Sequence, residues 1–147
     1  MIAEALPSPS GDMRAALAGA DLPVDDLDDS PGVFFRFVVN GKTIGFGGYE
    51  RYGDNALLRS IVVLPHARRK AAGKAITEAL LVRLAGDGVR QVYLLTTSAA
   101  GFFQRLGFVK TERATAPAEI LASRQAASLC PSSASLLVRQ TNGASHD

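Results

Sequence analysis

The sequence predicts a mixed α/β domain, in which an antiparallel meander of three strands leads through a helix into a parallel strand pair. Three observations carry that prediction. Asn40-Gly41 stands between two apolar runs rich in β-branched and aromatic residues, the strongest short-range signal for a tight hairpin. Residues 73–85 place Ile76, Leu80 and Leu84 at helical spacing, with Ala79 beside them. The short apolar run from Gln91 to Thr96 follows that helix, and a strand reached through a helix lies naturally parallel to the strand before it.

Taken in order, residues 1–11 are rich in Pro, Ser and Gly and are expected as a disordered tail. Asp12 is expected to cap a short helix to Ala20 that turns Leu17 inward. Pro23 and the acids Asp25, Asp26, Asp28 and Asp29 read as a solvated turn, with cation binding as the lesser alternative. Val33–Val39 and Thr43–Tyr49 are the hairpin strands, Glu50–Asn55 is a polar turn, and Ala56–Leu64 is the third strand. Lys74 and Glu78 form an exposed i, i+4 pair on the helix, and Gly86 and Gly88 end it. Ser98 is expected to cap a helix through Leu106, ended by Gly107, before a strand from Phe108 to Glu112. Pro117 and Glu119 open a helix toward Ser128 that Pro131 breaks, Leu136–Arg139 is the last strand, and residues 141–147 are a polar tail. One domain is expected over 12–140.

At 147 residues and 47% hydrophobic, the chain has enough apolar material for one cored domain. No window approaches the roughly 18 to 20 apolar residues of a membrane span, and the N-terminus lacks a signal-peptide pattern, so a soluble cytoplasmic protein that binds no membrane is expected. Cys130 is the single cysteine, and the two histidines are scattered, so neither an intrachain disulfide nor a metal site is expected.

The net charge of +2 hides an asymmetry: residues 1–58 carry four Lys/Arg and nine Asp/Glu, whereas residues 59–147 carry twelve and five. Arg68, Arg69, Lys70 and Lys74 fall within one short turn between strand and helix. Nucleic-acid binders spread basic residues along a face and interleave aromatics, so this compact cluster points to a small polyphosphate and not to nucleic acid. A basic, glycine-containing loop at a helix N-terminus joins free backbone N–H groups to positive charge, the local chemistry of a phosphate cradle.

The strand Leu58–Leu64, the turn Arg68-Arg69-Lys70-Ala71-Ala72-Gly73, the helix after it and Phe102-Phe103-Gln104-Arg105-Leu106-Gly107-Phe108 resemble the GCN5-related N-acetyltransferase (GNAT) family, over roughly residues 12 to 140. Five separated segments narrow the likeness: Tyr52-Gly53-Asp54, Leu57-Leu58-Arg59-Ser60, Tyr93–Thr97, Phe102-Phe103 and Leu129–Ala134 resemble the small arsenic-resistance N-acetyltransferases. Parts are also similar to the acetyltransferase domain of N-acetylglutamate synthases. The resemblance implies the acyl-CoA N-acyltransferase fold, whose parallel strands splay at the cofactor, and acetyl-CoA as co-substrate. It places the pyrophosphate at Arg68, Arg69, Lys70, Ala71, Ala72, Gly73 and Lys74, and the thioester along Ile61, Val62 and Val63, near Phe102 and Phe103.

Two positions depart from the family pattern. Ala71 replaces the usual first glycine and is less able to take positive φ. Phe103 replaces the tyrosine that gives a proton to the departing thiolate, so water, another group or no donor serves, since a thiolate of pKa near about 8.5 leaves readily.

For the chemistry the resemblance implies, negative charge develops on the thioester oxygen, and the Val62 N–H is the expected donor to it. The amine must lose a proton, and Glu50 and Asp54 are the candidate bases, each also readable as an acid at a hairpin end; His66 is a third, on the phosphate side. Arg59 lies within an apolar strand and requires a partner, either an acid such as Glu50 or the carboxylate of an amino-acid-like substrate. Thr96 and Thr97 line the same cleft or cap the next helix, and Cys130 reads as a small buried residue. The expected activity is direct acetyl transfer to a small, carboxylate-bearing amine. The alternatives are a CoA-binding module without catalysis and an acetyltransferase of protein N-termini. The apolar C-terminal strand suggests pairing across a homodimer.

Overall fold

The computed structural model describes residues 1–28, 31–68, 71–123 and 134–141. The elements are β1 (Ile2–Leu6), α1 (Gly11–Gly19), β2 (Gly32–Val39), β3 (Lys42–Tyr52), β4 (Asn55–Val63), α2 (Ala72–Gly86), β5 (Gln91–Thr96), α3 (Ala100–Arg105), β6 (Val109–Thr111), α4 (Ala118–Ala122) and β7 (Ser135–Gln140). Short 3-10 turns lie at Pro65–Ala67 and Arg113–Thr115. The strands hydrogen-bond in the order β1-β2-β3-β4-β5-β7-β6, a mixed sheet in which β4 and β5 run parallel, as the sequence predicts. Two compact units make up the chain: Met1–Glu50 with Leu58–Leu81, and Arg51–Leu57 with Val82–Asp147. No helix among the described residues is long and apolar enough to cross a membrane.

In the first unit the β2–β3 hairpin turns at Asn40 (φ 51°) and Gly41 (φ 76°), the two left-handed residues that a type I′ turn requires. The expected N-terminal tail is corrected: β1 pairs antiparallel with β2, from Ile2 opposite Val38 to Leu6 opposite Phe34. Five residues of weak alternation gave no strand signal of their own, and the open edge of β2 supplies the ladder. The cap of α1 is also corrected, from Asp12 to Ser10, whose Oγ accepts from the Met13 N–H at 3.4 Å. Asp12 instead pairs with Arg36 at 2.7 Å from the first turn.

Met13, Leu17, Leu27, Phe34, Phe46 and Val62 form a buried cluster. The glycines of β3 let α2 approach closely. A Cβ on Gly45 would lie 2.3 Å from the Val62 carbonyl oxygen and 2.9 Å from Ile76 Cδ1, and one on Gly47 would lie 3.0 Å from Leu80 Cδ1. Residues two apart share a face of a strand, so these two glycines make the groove into which the predicted apolar stripe of α2 settles. Ile76 and Leu80 are fully or almost fully buried there, each contributing on the order of 2 kcal/mol of apolar transfer free energy.

In the second unit α2 ends in a Schellman arrangement: the Val89 N–H bonds the Leu84 carbonyl at 3.0 Å, the Gly88 N–H bonds Ala85 at 3.1 Å, and Gly88 takes φ 89°. The start of β4 then pairs in parallel with β5, Asn55 opposite Gln91 and Leu57 opposite Tyr93, while β5 continues to Thr96 against β7. Leu57, Tyr93, Ile120 and Leu136 form the core of this unit. α3 repeats the Schellman ending, with Gly107 at φ 96° and the Phe108 N–H on the Phe103 carbonyl at 3.1 Å. The hydrophobic contact that completes the motif is the Phe103–Phe108 ring pair, 5.7 Å between centroids.

Three further expectations change here. Thr96, not Ser98, serves the entrance to α3, its Oγ1 accepting from the Ala99 N–H at 2.9 Å. β7 pairs with β5 on one side and β6 on the other, so neither of its edges is free to pair across a dimer as expected. The helix after Pro117 spans only Ala118–Ala122; its expected extension toward Ser128, with Cys130 and Pro131, lies outside the described residues, as does nearly all of the expected polar tail.

Candidate active site

The exit of β4 is held against β3 by the Leu64 N–H, which bonds the Ile44 carbonyl at 2.8 Å. The chain then makes the 3-10 turn at Pro65–Ala67, and Arg68 folds back so that its Nε donates to the Val63 carbonyl at 3.1 Å. Arg69 and Lys70 lie outside the described residues. Ala71 follows with φ 55°, and its carbonyl accepts the Ala75 N–H at 3.1 Å. The sequence argued that alanine takes a positive φ less readily than glycine; the residue takes it nonetheless, at a cost of about 1 kcal/mol. The N–H groups of the first turn of α2 have no acceptor within the helix and carry its positive pole. Arg68, three residues before Ala71, and Lys74, in the first turn of α2, are exposed, while Ala72 is buried and Gly73 half-buried.

Behind this exit lies an ionic cluster built on Arg59, whose side chain is 0% exposed. Asp26, also 0% exposed, receives Nη1 at 2.5 Å and Nη2 at 2.6 Å in a bidentate fork. Glu50 takes the same Nη1 at 2.9 Å, and Nε donates to Ser60 Oγ at 3.1 Å. The Phe34 ring lies 5.6 Å from the guanidinium carbon. Burial pushes the guanidinium down in pKa, but hydrogen bonds and charge from Asp26 and then Glu50 outweigh it and the net direction is up, so the cation is held firmly.

This geometry corrects two expectations. Arg59 offers no exposed donor and does not reach a substrate carboxylate; it takes the other partner considered, an acid on the neighbouring strand. Glu50 is not in a polar turn but within β3, 1% exposed on its side chain and turned onto Arg59. Turned onto Arg59 inside the unit, its carboxylate presents almost no surface to an amine.

Ser60 carries a second feature that the sequence did not signal: a left-handed φ of 62° inside a strand. Neighbouring side chains of a regular strand point to opposite faces, so a hydrogen bond between the Arg59 and Ser60 side chains requires this break in alternation. Beyond it, Ile61 and Val63 are half-buried and Val62 is buried. Asp26 was also missed, because a run of acids after a proline has the composition of a solvated loop. The available signal was the unpaired Arg59, whose demand for charge the acidic run can meet.

Asp54, the other candidate base, is exposed in the turn that opens β4, with its carbonyl accepting from Arg90 and Gln91. Val62 is near the other end of that strand, so the expectation that Asp54 flanks the thioester position is corrected. His66 is exposed and lines a groove of about 380 Å³ with Met1, Lys42 and Ala72. In the second unit Thr97 is exposed, Thr96 is engaged in the α3 entrance, and Phe103 packs edge-on against Phe102 and Phe108.

Residues 30–110 match the acetyltransferase (GNAT) domain family. An uncharacterized N-acetyltransferase of Chlorobaculum tepidum is 35% identical over 88 residues, covering 59% of this chain and 56% of that protein, so the chain spans little more than half the length of this relative. Among solved structures, Tetrahymena GCN5 aligns with a TM-score of 0.76 at 14% identity over 96% of both chains. N-acetylglutamate synthase from Neisseria gonorrhoeae, complexed with coenzyme A and N-acetyl-glutamate, aligns at 0.73 and 16% identity over 96% of this chain and 35% of that one. At such identities these two likenesses establish the fold alone.

Proposed function

The chain belongs to the GNAT acetyltransferase family, and on that premise we propose that it binds acetyl-CoA and passes the acetyl group directly to the amine of a small acceptor. The observation that carries this reading is the turn from Arg68 to Lys74. Left-handed Ala71 leads into the open N–H groups of α2, with exposed Arg68 before them in the chain and exposed Lys74 in the first turn, donor types that suit a pyrophosphate. The proposed cofactor-binding set is Ile61, Val62 and Val63 along β4, then Arg68, Ala71, Ala72, Gly73 and Lys74; Arg69 and Lys70 belong to it by sequence alone. Phe102 and Phe103 stay in the set on the family resemblance.

Acetyl-CoA supplies an acyl group already activated as a thioester. The expectation for Val62 is corrected: the Leu64 N–H faces β3, where it bonds Ile44, and by alternation so does the Val62 N–H, so the N–H groups on the other edge of β4, Ile61 and Val63, are the ones that would donate to the carbonyl oxygen as negative charge gathers there. Arg68 and Lys74 hold charge opposite the phosphates. With Glu50 committed to Arg59 and Asp54 at the other end of β4, proton removal from the ammonium falls to water or to exposed His66. A carboxylate-bearing acceptor, of the kind whose acetylated form, N-acetyl-glutamate, is held in the gonococcal structure, would take its counter-charge from a cation other than Arg59.

Thermal unfolding with and without acetyl-CoA tests the binding half of the reading. A ligand at 100 times its Kd stabilises the folded state by about 2.7 kcal/mol, so a clear rise in Tm is expected, together with a much smaller rise in Arg68→Ala/Lys74→Ala. An unshifted wild-type Tm at saturating acetyl-CoA overturns it.

A further inference from the structure

We infer that the groove between the tip of the β2–β3 hairpin and the first turns of α2 takes the 3′-phosphoadenosine end of CoA, with Lys42 and His66 as the partners of its 3′-phosphate. On the acetyl-CoA reading, on which this rests, the groove and not the pyrophosphate turn alone tells CoA from its 3′-dephospho form. His66, turned to phosphate, then leaves the ammonium proton to water.

The groove lies wholly inside the first unit, and backbone hydrogen bonds fix its walls. The Leu64 N–H on the Ile44 carbonyl at 2.8 Å holds the exit of β4 beside the start of β3, where Lys42 stands. The Ala67 N–H on the Leu64 carbonyl at 2.9 Å closes the turn that carries His66. The left-handed hairpin turn adds Asn40 to the lining. On the helix side Ala72 and Ala75, three residues apart, share one face of α2. Their small side chains leave a space of about 380 Å³, within the roughly 300 to 1,000 Å³ of small-molecule sites.

The lining has two characters. Val39, Ile44, Ala67, Ala72 and Ala75 are apolar, whereas Lys42 brings a cation and His66 a ring N–H, with no acid beside them in the groove. Both side chains are exposed, and neither has a salt-bridge partner among the described residues. An apolar slot edged by such donors suits a flat ring that carries an anion; a bare phosphate would leave the slot empty, and an uncharged ring would leave the donors unused. Asn40 adds an amide whose donor and acceptor match the N6 and N7 edge of adenine. Continuity points to CoA as the source of such a group. Ala72 both lines the groove and opens the helix whose N–H groups suit the pyrophosphate, and in CoA one 5′-methylene joins the adenosine to that pyrophosphate. The nucleoside must therefore lodge within its own length of the turn, and the groove begins there.

The test compares Kd values from calorimetry for acetyl-CoA, acetyl-3′-dephospho-CoA and S-acetyl-4′-phosphopantetheine in wild type, Lys42→Ala, Lys42→Ala/His66→Ala and Ala75→Leu. Wild type is expected to bind acetyl-CoA at least about tenfold more tightly than the dephospho form, because two hydrogen bonds to a charged group go with the 3′-phosphate. Lys42→Ala should lower that ratio. The double variant should bring it to within about threefold through weaker binding of acetyl-CoA, with Kd for the dephospho form within about twofold of wild type. Both side chains are exposed, so these substitutions leave the core untouched. Ala75→Leu fills the slot and should weaken both nucleotide-bearing forms at least about fivefold, while the phosphopantetheine thioester stays within about twofold, a pattern that a general loss of fold does not give. Equal wild-type affinity for acetyl-CoA and its dephospho form, a tenfold preference that survives Lys42→Ala/His66→Ala, or unchanged nucleotide binding in Ala75→Leu overturns the inference and leaves the acetyltransferase reading standing. A wild-type protein that binds none of the three thioesters overturns both, before any variant is compared.

Discussion

Asp26 and Arg59, 33 residues apart in the chain, are joined by two hydrogen bonds of 2.5 and 2.6 Å with both side chains fully buried. Removing one partner leaves the other charge stranded in the interior. Asp26→Ala is therefore expected to cost about 3 to 5 kcal/mol in urea unfolding. Arg59→Met in the same background removes the stranded cation and should recover part of that loss. A cost below about 1 kcal/mol for Asp26→Ala contradicts the buried pairing.

Ala71 occupies the left-handed region at φ 55°. Ala71→Gly removes the Cβ strain there and is expected to stabilise the protein by about 1 kcal/mol, or a Tm rise of about 2 to 4 °C. Ala71→Val adds a β-branched side chain where positive φ is least tolerated, and it should move the Tm the other way. A lower Tm for the glycine variant contradicts the assigned conformation.

Gly45 has no room for a methyl group, since its Cβ would lie 2.3 Å from the Val62 carbonyl oxygen, a backbone atom that cannot rotate away. Gly45→Ala should cost at least about 3 kcal/mol by the route of overpacking and backbone shift. Gly41, with nothing within 4 Å but φ 76°, provides the contrast: Gly41→Asn, a residue that tolerates positive φ, should cost under about 1 kcal/mol. Equal costs at the two positions would contradict the close approach of β3 to β4.

Asp12 is held below the usual carboxylate range, first by the Ser10 hydroxyl, against a smaller opposing push from burial, and then by the bond and charge of Arg36. A carboxyl whose folded pKa is depressed contributes stability above its unfolded value, about 3.9, and loses it as the pH falls through the folded value. Wild type should therefore exceed Asp12→Asn in stability at neutral pH, and the two curves should converge in acid. A difference that widens as the pH falls contradicts this pairing.

The strands that were legible in sequence were those with a local signature. Asn40-Gly41 marks its own hairpin, and Gly88 and Gly107 mark helix ends because only a left-handed residue closes them. The apolar stripe of α2 was readable from Ile76, Leu80 and Leu84, and the parallel placement of β5 followed from the helix before it. β1 was not readable, since Ile2–Leu6 owes its ladder to the edge of β2 and not to its own composition.

At the site, the basic turn was legible because its charge is contiguous. The Asp26–Arg59–Glu50 cluster was legible only as a need: Arg59 required an anion, and nothing local distinguished Asp26 from exposed Asp25 and Asp28 beside it. Ser60 was silent, because serine carries no preference for a left-handed step within a strand, and only the long-range anchor imposes it.

The most direct test of the account is thiol release from acetyl-CoA by the purified chain across a panel of small primary amines, with and without carboxylates. Saturable release that depends on both acetyl-CoA and at least one amine, with the acetyl group recovered on that amine, is the predicted result. Binding of acetyl-CoA with no amine-dependent release from any member of the panel would contradict catalysis and leave a cofactor-binding module in its place.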